Sequence, residues 1–193
     1  IDLGANLTIT DSFNVGALTL TLTGTGQLTG GIITLDQSNS ILKRTGEGII
    51  ANALTFAGSG ATLNIDAGTT CSGAFTMSNN AIFDIANGIT LTKTVSGIAC
   101  AEKNLQFIGA DGGTLANSGG ALTFSTGTLN ADMSVTISGA ITISGNTTFD
   151  IASGKTITYS AASISVGANV LTIQNGTFDN TNAINLETAT SKI

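Results

Sequence analysis

The segment from Ala140 to Thr158, AITISGNTTFDIASGKTIT, decides the fold. Apolar and polar residues alternate in three short runs within it, and a Gly-Asn turn and a Ser-Gly turn separate these runs. Alternation with a period of two residues indicates β-strands that bury one face. Glycine, asparagine and serine favour the tight turns between such strands. The segment therefore predicts three short strands in close succession.

The same unit recurs elsewhere in the chain. The segment from Ala74 to Thr92 reads AFTMSNNAIFDIANGITLT, and a looser copy from Ala53 to Thr70 reads ALTFAGSGATLNIDAGTT. Strands with the pattern Leu-Thr-aromatic, or a relative of it, begin at Leu18, Leu54, Phe75, Leu105, Leu122, Ile141 and Leu171. The period is about 20 residues but elastic, which is typical of stacked repeats whose loops vary in length.

These repeats predict an all-β fold, a β-solenoid (parallel β-helix) with rungs of about 20 residues and no substantial helix. The prediction treats residues 1–193 as a single solenoid domain. An antiparallel β-sandwich is the alternative, because Asn87-Gly88 and Asn175-Gly176 are typical of hairpin turns. The repeated three-strand unit favours the solenoid, since the strands of a sandwich rarely copy one another.

Composition argues against several classes of function. Only 9% of the residues are charged, against about 25% in ordinary globular proteins, and the formal net charge is −6. The lysines and arginines form no cluster, so no nucleic-acid partner is expected. No apolar run is long enough to predict a membrane span in this segment. The chain starts with Ile-Asp-Leu, without an initiator methionine, which predicts a mature or fragment portion of a secreted protein.

The chain has 2 cysteines, Cys71 and Cys100. Cys71 lies four residues before the strand that starts at Phe75, and Cys100 lies five residues before the strand that starts at Leu105. They therefore occupy nearly the same place in successive copies of that strand. Because stacked neighbours lie about 5 Å apart, within disulfide range, the sequence predicts a Cys71–Cys100 disulfide between adjacent rungs. The alternative is a pair of buried free thiols that pack as small apolar side chains.

One segment resembles a known repeat. The stretch Ile41-Leu-Lys-Arg-Thr-Gly-Glu-Gly48, followed by Leu54-Thr-Phe-Ala-Gly58 and by Ala67-Gly68, resembles the repeat of bacterial autotransporter passenger domains. The chain lacks the aromatic Asn-Thr-Tyr-Thr-Gly turn that is usual in that family. The resemblance implies a secreted bacterial β-helix that is displayed on, or released from, the cell surface. The family contains adhesins, proteases and structural stalks, so the resemblance does not fix an activity.

The carboxylates give no pattern that predicts catalysis. Enzymes that cleave polysaccharides pair a general acid with a general base. Asp84 and Asp150 occupy the same outward position of the repeated unit, where Asn64 also lies, and this is more typical of a solvated position. The chain has no histidine. The sequence therefore predicts no enzyme, no catalytic residue, no metal ligand and no cofactor, with a polysaccharide-active β-helix enzyme as the least favoured alternative.

Threonines in Thr-x-Thr strings are the candidate binding residues. Regular outward threonines on a flat solenoid face can order water or contact a ligand, although threonine is also common on any solvated strand. The residues predicted to form such an outward face are Thr19, Thr21, Thr23, Thr90, Thr92, Thr156 and Thr158.

Together these features predict a non-enzymatic, extracellular β-solenoid with a structural or adhesive role at the bacterial cell surface. Open solenoid ends present unpaired strand edges, so head-to-tail assembly into surface filaments is part of this prediction. The expected partners are further copies of the chain, neighbouring solenoid segments and cell-surface glycans. The alternative is a glycan- or ice-binding module that uses faces rich in threonine, asparagine and aspartate.

Overall fold

The structure is a computed structural model that describes residues 1–161 and 164–185. These residues form short strands and no helix. In chain order the strands are β1 (Leu7–Ile9), β2 (Phe13–Asn14), β3 (Thr19–Leu22), β4 (Gln27–Gly30), β5 (Ile33–Leu35), β6 (Ile41–Arg44), β7 (Gly48–Ile50), β8 (Leu54–Phe56), β9 (Ala61–Ile65), β10 (Thr69–Cys71), β11 (Phe75–Met77), β12 (Ala81–Ile85), β13 (Thr90–Lys93), β14 (Ile98–Ala101), β15 (Leu105–Ile108), β16 (Gly113–Asn117), β17 (Leu122–Phe124), β18 (Thr128–Ala131), β19 (Val135–Ile137), β20 (Ile141–Ile143), β21 (Thr147–Ile151), β22 (Thr156–Tyr159), β23 (Ile164–Ser165), β24 (Leu171–Gln174), β25 (Thr177–Asn180) and β26 (Ile184–Asn185).

Each turn of the chain adds one strand to each of three sheets. Sheet 1 has the order β1-β4-β7-β10-β13-β16-β19-β22-β25, sheet 2 the order β2-β5-β8-β11-β14-β17-β20-β23-β26, and sheet 3 the order β3-β6-β9-β12-β15-β18-β21-β24. Every strand pair among the described residues is parallel, which excludes the antiparallel sandwich. The fold is a β-solenoid of about eight turns of roughly 22 residues, so the predicted fold class is confirmed.

The length of a turn varies, as the sequence predicted. Leu122 pairs with Ile141, 19 residues further along the chain, whereas Ile98 pairs with Leu122, 24 residues further along. The strands nevertheless stay in register over most of their length, because the loops at the corners of the solenoid take up the difference. One irregularity occurs between β14 and β17, where the register shifts between Ala99 and Ala101.

Alternating side chains fill the interior. In β9, β12 and β21 the first, third and fifth residues are buried and the second and fourth face outward. The ring centroid of Phe83 lies 5.7 Å from that of Phe56, 6.0 Å from that of Phe75 and 5.9 Å from that of Phe107. Such edge-to-face and tilted contacts add to the free energy gained by burying the rings. An aromatic cluster therefore crosses three consecutive turns of the solenoid core.

Close stacking of the turns explains some glycines at the corners. A Cβ atom on Gly145 would lie 1.3 Å from the carbonyl oxygen of Ser125, and one on Gly73 would lie 1.9 Å from the carbonyl oxygen of Asn52. The backbone would have to move to admit any side chain at either position. These two glycines are thus required by the neighbouring turn of chain.

The structure corrects part of the predicted repeat alignment. Leu54, Phe75, Leu122 and Ile141 begin strands of sheet 2, as the alignment required. The strand of sheet 2 that follows Phe75 starts at Ile98, however. The strands at Leu105 and Leu171 belong to sheet 3, and Leu18 immediately precedes a strand of that sheet.

The corrected register removes the argument for a disulfide. Cys71 ends β10 in sheet 1, where it pairs with Ile50 and Lys93, whereas Cys100 lies in β14 in sheet 2. They do not occupy equivalent positions in successive turns. Both are buried and both are free thiols in the structure. Burial raises the pKa of Cys71 to about 12, against 9.0 for an exposed thiol, although Lys93 and Arg44 oppose the rise. Burial raises the pKa of Cys100 in the same direction.

Buried free thiols make stability fall in alkali. Because the pKa of Cys71 is higher in the folded state, its stabilising contribution is complete below pH 9 and is lost as the pH rises toward 12. We expect this thiol to cost about 1 kcal/mol of unfolding free energy between pH 8 and pH 10. Urea unfolding of the wild type and of Cys71→Ala at both pH values measures it, since the cavity cost of the variant cancels in the comparison. A larger loss in Cys71→Ala than in the wild type would point to a disulfide instead, because the variant would then carry a free, buried Cys100 thiol that the wild type lacks.

Candidate functional site

The predicted threonine face is divided between sheets. In sheet 1, Thr90 and Thr158 lie in one outward file, meaning a column of residues paired in register from strand to strand. Thr114 and Thr136 lie between them in this column. The other predicted residues lie elsewhere: Thr92 and Thr156 at other positions of sheet 1, Thr19 and Thr21 in sheet 3, and Thr23 after β3 in a bridge to Asp2. The structure therefore brings Thr90 and Thr158 into one file and does not place all seven on one face.

Sheet 2 carries a longer row of threonines that the sequence analysis missed. They lie at the centres of successive strands, with one interruption at Ala99, and are Thr34, Thr55, Thr76, Thr123 and Thr142. We call these five residues the threonine row. None of their hydroxyls has an intramolecular hydrogen bond within the described part of the chain. The signal in the sequence was the threonine at the centre of ITL, LTF, FTM and ITI.

Sheet 3 contains a polar groove with a volume of about 430 Å³. It crosses five successive turns of the solenoid, which at the spacing of paired strands corresponds to about 19 Å along the axis. Most of its lining side chains end in amides or hydroxyls, with one carboxylate and no lysine or arginine; the lining residues are Ser59, Gly60, Asn80, Ala81, Ile82, Asn104, Gln106, Thr128, Asn130 and Asp150. We call this site the sheet 3 groove.

One wall of the groove is a ladder of asparagines at the start of the strands. The Asn80 carboxamide oxygen accepts a hydrogen bond of 2.9 Å from the backbone N–H of Asn104. The Asn104 carboxamide oxygen in turn accepts one of 3.2 Å from the N–H of Thr128. Each carboxamide is thus fixed by the next turn, and its Nδ2 group has no intramolecular acceptor among the described residues. The wall presents oriented donors one turn apart.

A second file of residues forms the floor of the groove. Ile82, Gln106, Asn130 and Asp150 are register partners on four successive strands. Gln106 donates from Nε2 to Asp132 at 2.6 Å, and Asp150 accepts from Asn175 at 2.7 Å. Asn130 makes no side-chain hydrogen bond within the described residues. The floor therefore offers free acceptors and donors beside one apolar side chain, Ile82.

The register also separates the two aspartates that the repeat alignment treated as equivalent. Asp84 pairs with Asn64, whose Nδ2 donates to it, whereas Asp150 pairs with Asn130. The column of register partners that contains Asp150 includes Ile82, which lies two residues before Asp84 in the sequence, and does not include Asp84 itself. Burial raises the pKa of Asp84, and the Asn64 hydrogen bond opposes the rise. The two carboxylates thus lie in different files of sheet 3.

Two cations lie in the core, which the sequence analysis also missed. Arg44 is buried, and its Nη2 donates to the carbonyl oxygens of Gly24, Gly26 and Glu47 at 3.0, 3.0 and 2.7 Å. Lys93 is fully buried as well. The alternation of apolar and polar residues could have predicted this burial. Leu42 and Leu91 face inward, so Arg44 and Lys93, each two residues later on the same strand, must face inward too.

The buried cations do not create a reactive thiol. Cys71 is the register partner of Lys93, and the charges of Lys93 and Arg44 favour its thiolate. Burial outweighs both charges, so the pKa remains far above neutral. The thiolate is the nucleophilic form of cysteine. This cluster therefore packs the core and does not resemble a nucleophilic site.

Metal and membrane features are also lacking in the part of the chain that the structure describes. There, no group of three or more His, Cys, Asp or Glu side chains could hold a metal ion. No helix of residues 1–161 or 164–185 is long and apolar enough to cross a membrane. Comparisons with protein-family models, with curated proteins and with solved structures return no match to this chain.

Proposed function

We propose that the chain is a non-enzymatic structural and adhesive β-solenoid that works outside the cell, at a bacterial cell surface. The observation that carries the proposal is the continuous stacking of three parallel sheets along the described residues. Stacked turns contact mainly their neighbours, so such a solenoid forms a rod whose length grows with the number of turns. Its faces repeat uncharged polar groups along the rod, which suits many weak contacts with a surface.

The resemblance of residues 41–48 to autotransporter passenger repeats supports the bacterial part of this proposal. In the structure this motif has a defined packing role. Arg44 lies in the core, and a Cβ atom on Gly48 would lie 1.9 Å from its Nη2. A side chain at position 48 would therefore displace the guanidinium of Arg44, so the glycine leaves room for the buried arginine. We propose that the chain is a portion of a passenger of this kind.

One end of the described solenoid supports self-association. β1, β2 and β3 are the first strands of their sheets, so each has one edge without a strand partner among the described residues. Leu18 is 70% exposed there, and with Phe13, Val15 and Leu20 it lines an apolar depression of about 170 Å³. In the filament form of the proposal, a second copy of the chain stacks its last turn on this end.

Electron microscopy and adhesion assays test the proposal together. We expect the purified chain to form rods that join end to end as its concentration rises, and Leu18→Lys to weaken this joining. Beads coated with the chain should also be retained on bacterial surfaces more strongly than beads coated with a denatured sample. If rods never join and coated beads are retained no better than the denatured control, the structural and adhesive role is wrong.

The threonine row favours a second candidate, the binding of ordered water or ice. Its hydroxyls repeat at about the 4.8 Å spacing of paired strands, and small residues flank them. The flanking residues include Ala53, Ala74, Ala121 and Ala140. Thermal hysteresis measured on the wild type and on Thr76→Lys tests this candidate, because the lysine interrupts the row without touching the core. No hysteresis in the wild type would reject it.

A further inference from the structure

We propose that the sheet 3 groove binds a neutral, extended polysaccharide along the axis of the solenoid. This inference rests on the adhesive role proposed above and names its ligand class and its contact site. The groove volume of about 430 Å³ lies within the usual range for ligand sites. The groove also crosses five turns, so a polymer can follow it over about 19 Å.

The chemistry of the lining favours hydroxyl groups as the ligand's recognition elements. A carboxamide offers both donors and acceptors, which matches a sugar hydroxyl that both donates and accepts. Asn80 and Asn104 are fixed by hydrogen bonds to the next turn, so their Nδ2 groups are oriented before a ligand arrives. Preorganised groups lose less conformational entropy on binding. Ile82 provides an apolar contact for the C–H face of a sugar ring.

The charge of the groove favours a neutral polymer. Asp150 is its only charged lining residue, and no lysine or arginine lines it. An anionic sugar would therefore approach a carboxylate without a compensating cation. Polysaccharides built from uronic acids or from sulfated sugars are poor ligands for such a site.

The backbone of sheet 3 argues against an extended peptide as the ligand. A peptide that binds as an added strand needs a sheet edge with free N–H and C=O groups. The groove instead lies on the face of central strands, β9, β12, β15, β18 and β21, each paired on both sides. The available groups are side-chain amides and hydroxyls that repeat once per turn. That repeat suits a polymer of similar units with hydroxyls on every unit.

Asn130 is the best position for a test. It faces outward at the floor of the groove, and it has no side-chain hydrogen bond within the described residues, so its replacement leaves the strand pairing intact. Asn130→Ala removes a hydrogen-bonding group, and Asn130→Trp fills the groove. Thr70→Trp is the matched control, because Thr70 is an outward residue at the centre of a strand of sheet 1, outside both the groove and the threonine row.

Isothermal titration calorimetry with neutral oligosaccharides of six sugar units, from the cello-, xylo-, manno- and laminari- series, tests the inference on the intact chain. We expect at least one series to bind and a galacturonic acid oligomer not to bind. Asn130→Ala should weaken the affinity about three- to tenfold, Asn130→Trp should abolish binding, and Thr70→Trp should bind as the wild type does.

Three results would overturn the inference: no binding of any neutral series, equal binding by the wild type and Asn130→Trp, or stronger binding of the galacturonic acid oligomer. The bead assay separates this failure from failure of the proposed function. Beads that adhere although no oligosaccharide binds would leave the adhesive role standing and reject the groove as its contact site.

Discussion

The Phe83→Ala variant is expected to lose about 3–5 kcal/mol of unfolding free energy, the largest loss of any single change considered. Phe83 is fully buried in β12. Its ring contacts the rings of Phe56, Phe75 and Phe107, which come from its own turn and from the turns on either side. Removing the ring leaves a cavity between stacked turns that cannot collapse, because the paired strands hold the turns at a fixed spacing.

Urea unfolding followed by circular dichroism measures this loss, and Phe13→Ala is the control. Phe13 lies in the first strand of sheet 2, is only partly buried, and has no ring partner among the described residues. The control should lose about 1–2 kcal/mol, because folding removes less apolar surface from water at Phe13 than at Phe83. Similar losses in the two variants would show that the aromatic cluster adds nothing beyond ordinary burial.

The aromatic cluster illustrates what the sequence could and could not predict. Alternation around Phe83 predicted a strand with this side chain inside, and the near-copies at Phe75 and Leu54 predicted stacking. The register of the turns was harder, because the loops change length and the strand of sheet 2 after Phe75 reads IACA instead of Leu-Thr-aromatic. An alignment by sequence likeness therefore skipped this strand and matched Phe75 with Leu105.

The same effect hid the sheet 3 groove. Its lining residues extend from Ser59 to Asp150 and share no motif, and only the register of the stacked turns brings them together. The threonine row was hidden for a different reason. It contributes one threonine per strand, whereas the search for Thr-x-Thr strings favoured strands with two, such as β13 and β22. Sites of this kind depend on neighbours about one turn apart in sequence, so they become visible once the turn lengths are known.

The Lys93→Met variant is expected to gain stability, by about 1–3 kcal/mol at neutral pH. Lys93 is fully buried in β13, and no carboxylate among the described residues forms an ion pair with it. Its ammonium donates to the carbonyl oxygens of Val95 and Ser96 and lies 5.1 Å from the ring centroid of Phe75. These contacts compensate only part of the cost of taking the charge out of water. Methionine keeps most of the side-chain volume without that charge.

The dependence of this gain on pH identifies its cause. Burial lowers the pKa of Lys93 below its ordinary value of 10.5. The unfolded state therefore binds more protons than the folded state between the lowered pKa and 10.5, and the contribution of Lys93 to stability rises with pH across that window. We expect the stability difference between Lys93→Met and the wild type to shrink as the pH rises toward 10.5. A difference that does not change with pH would attribute the gain to packing alone.

Lys43→Met is the matched control for the buried lysine. Lys43 faces outward from β6, is partly exposed, and forms an ion pair of 2.7 Å with Asp66. Its replacement should change the unfolding free energy by less than about 1 kcal/mol, as is usual for surface ion pairs. If Lys93→Met were instead less stable than the wild type, the carbonyl oxygens of Val95 and Ser96 would need the ammonium of Lys93 as their hydrogen-bond donor. Both residues are exposed, however, so water can replace the ammonium as their hydrogen-bond donor once the lysine is removed.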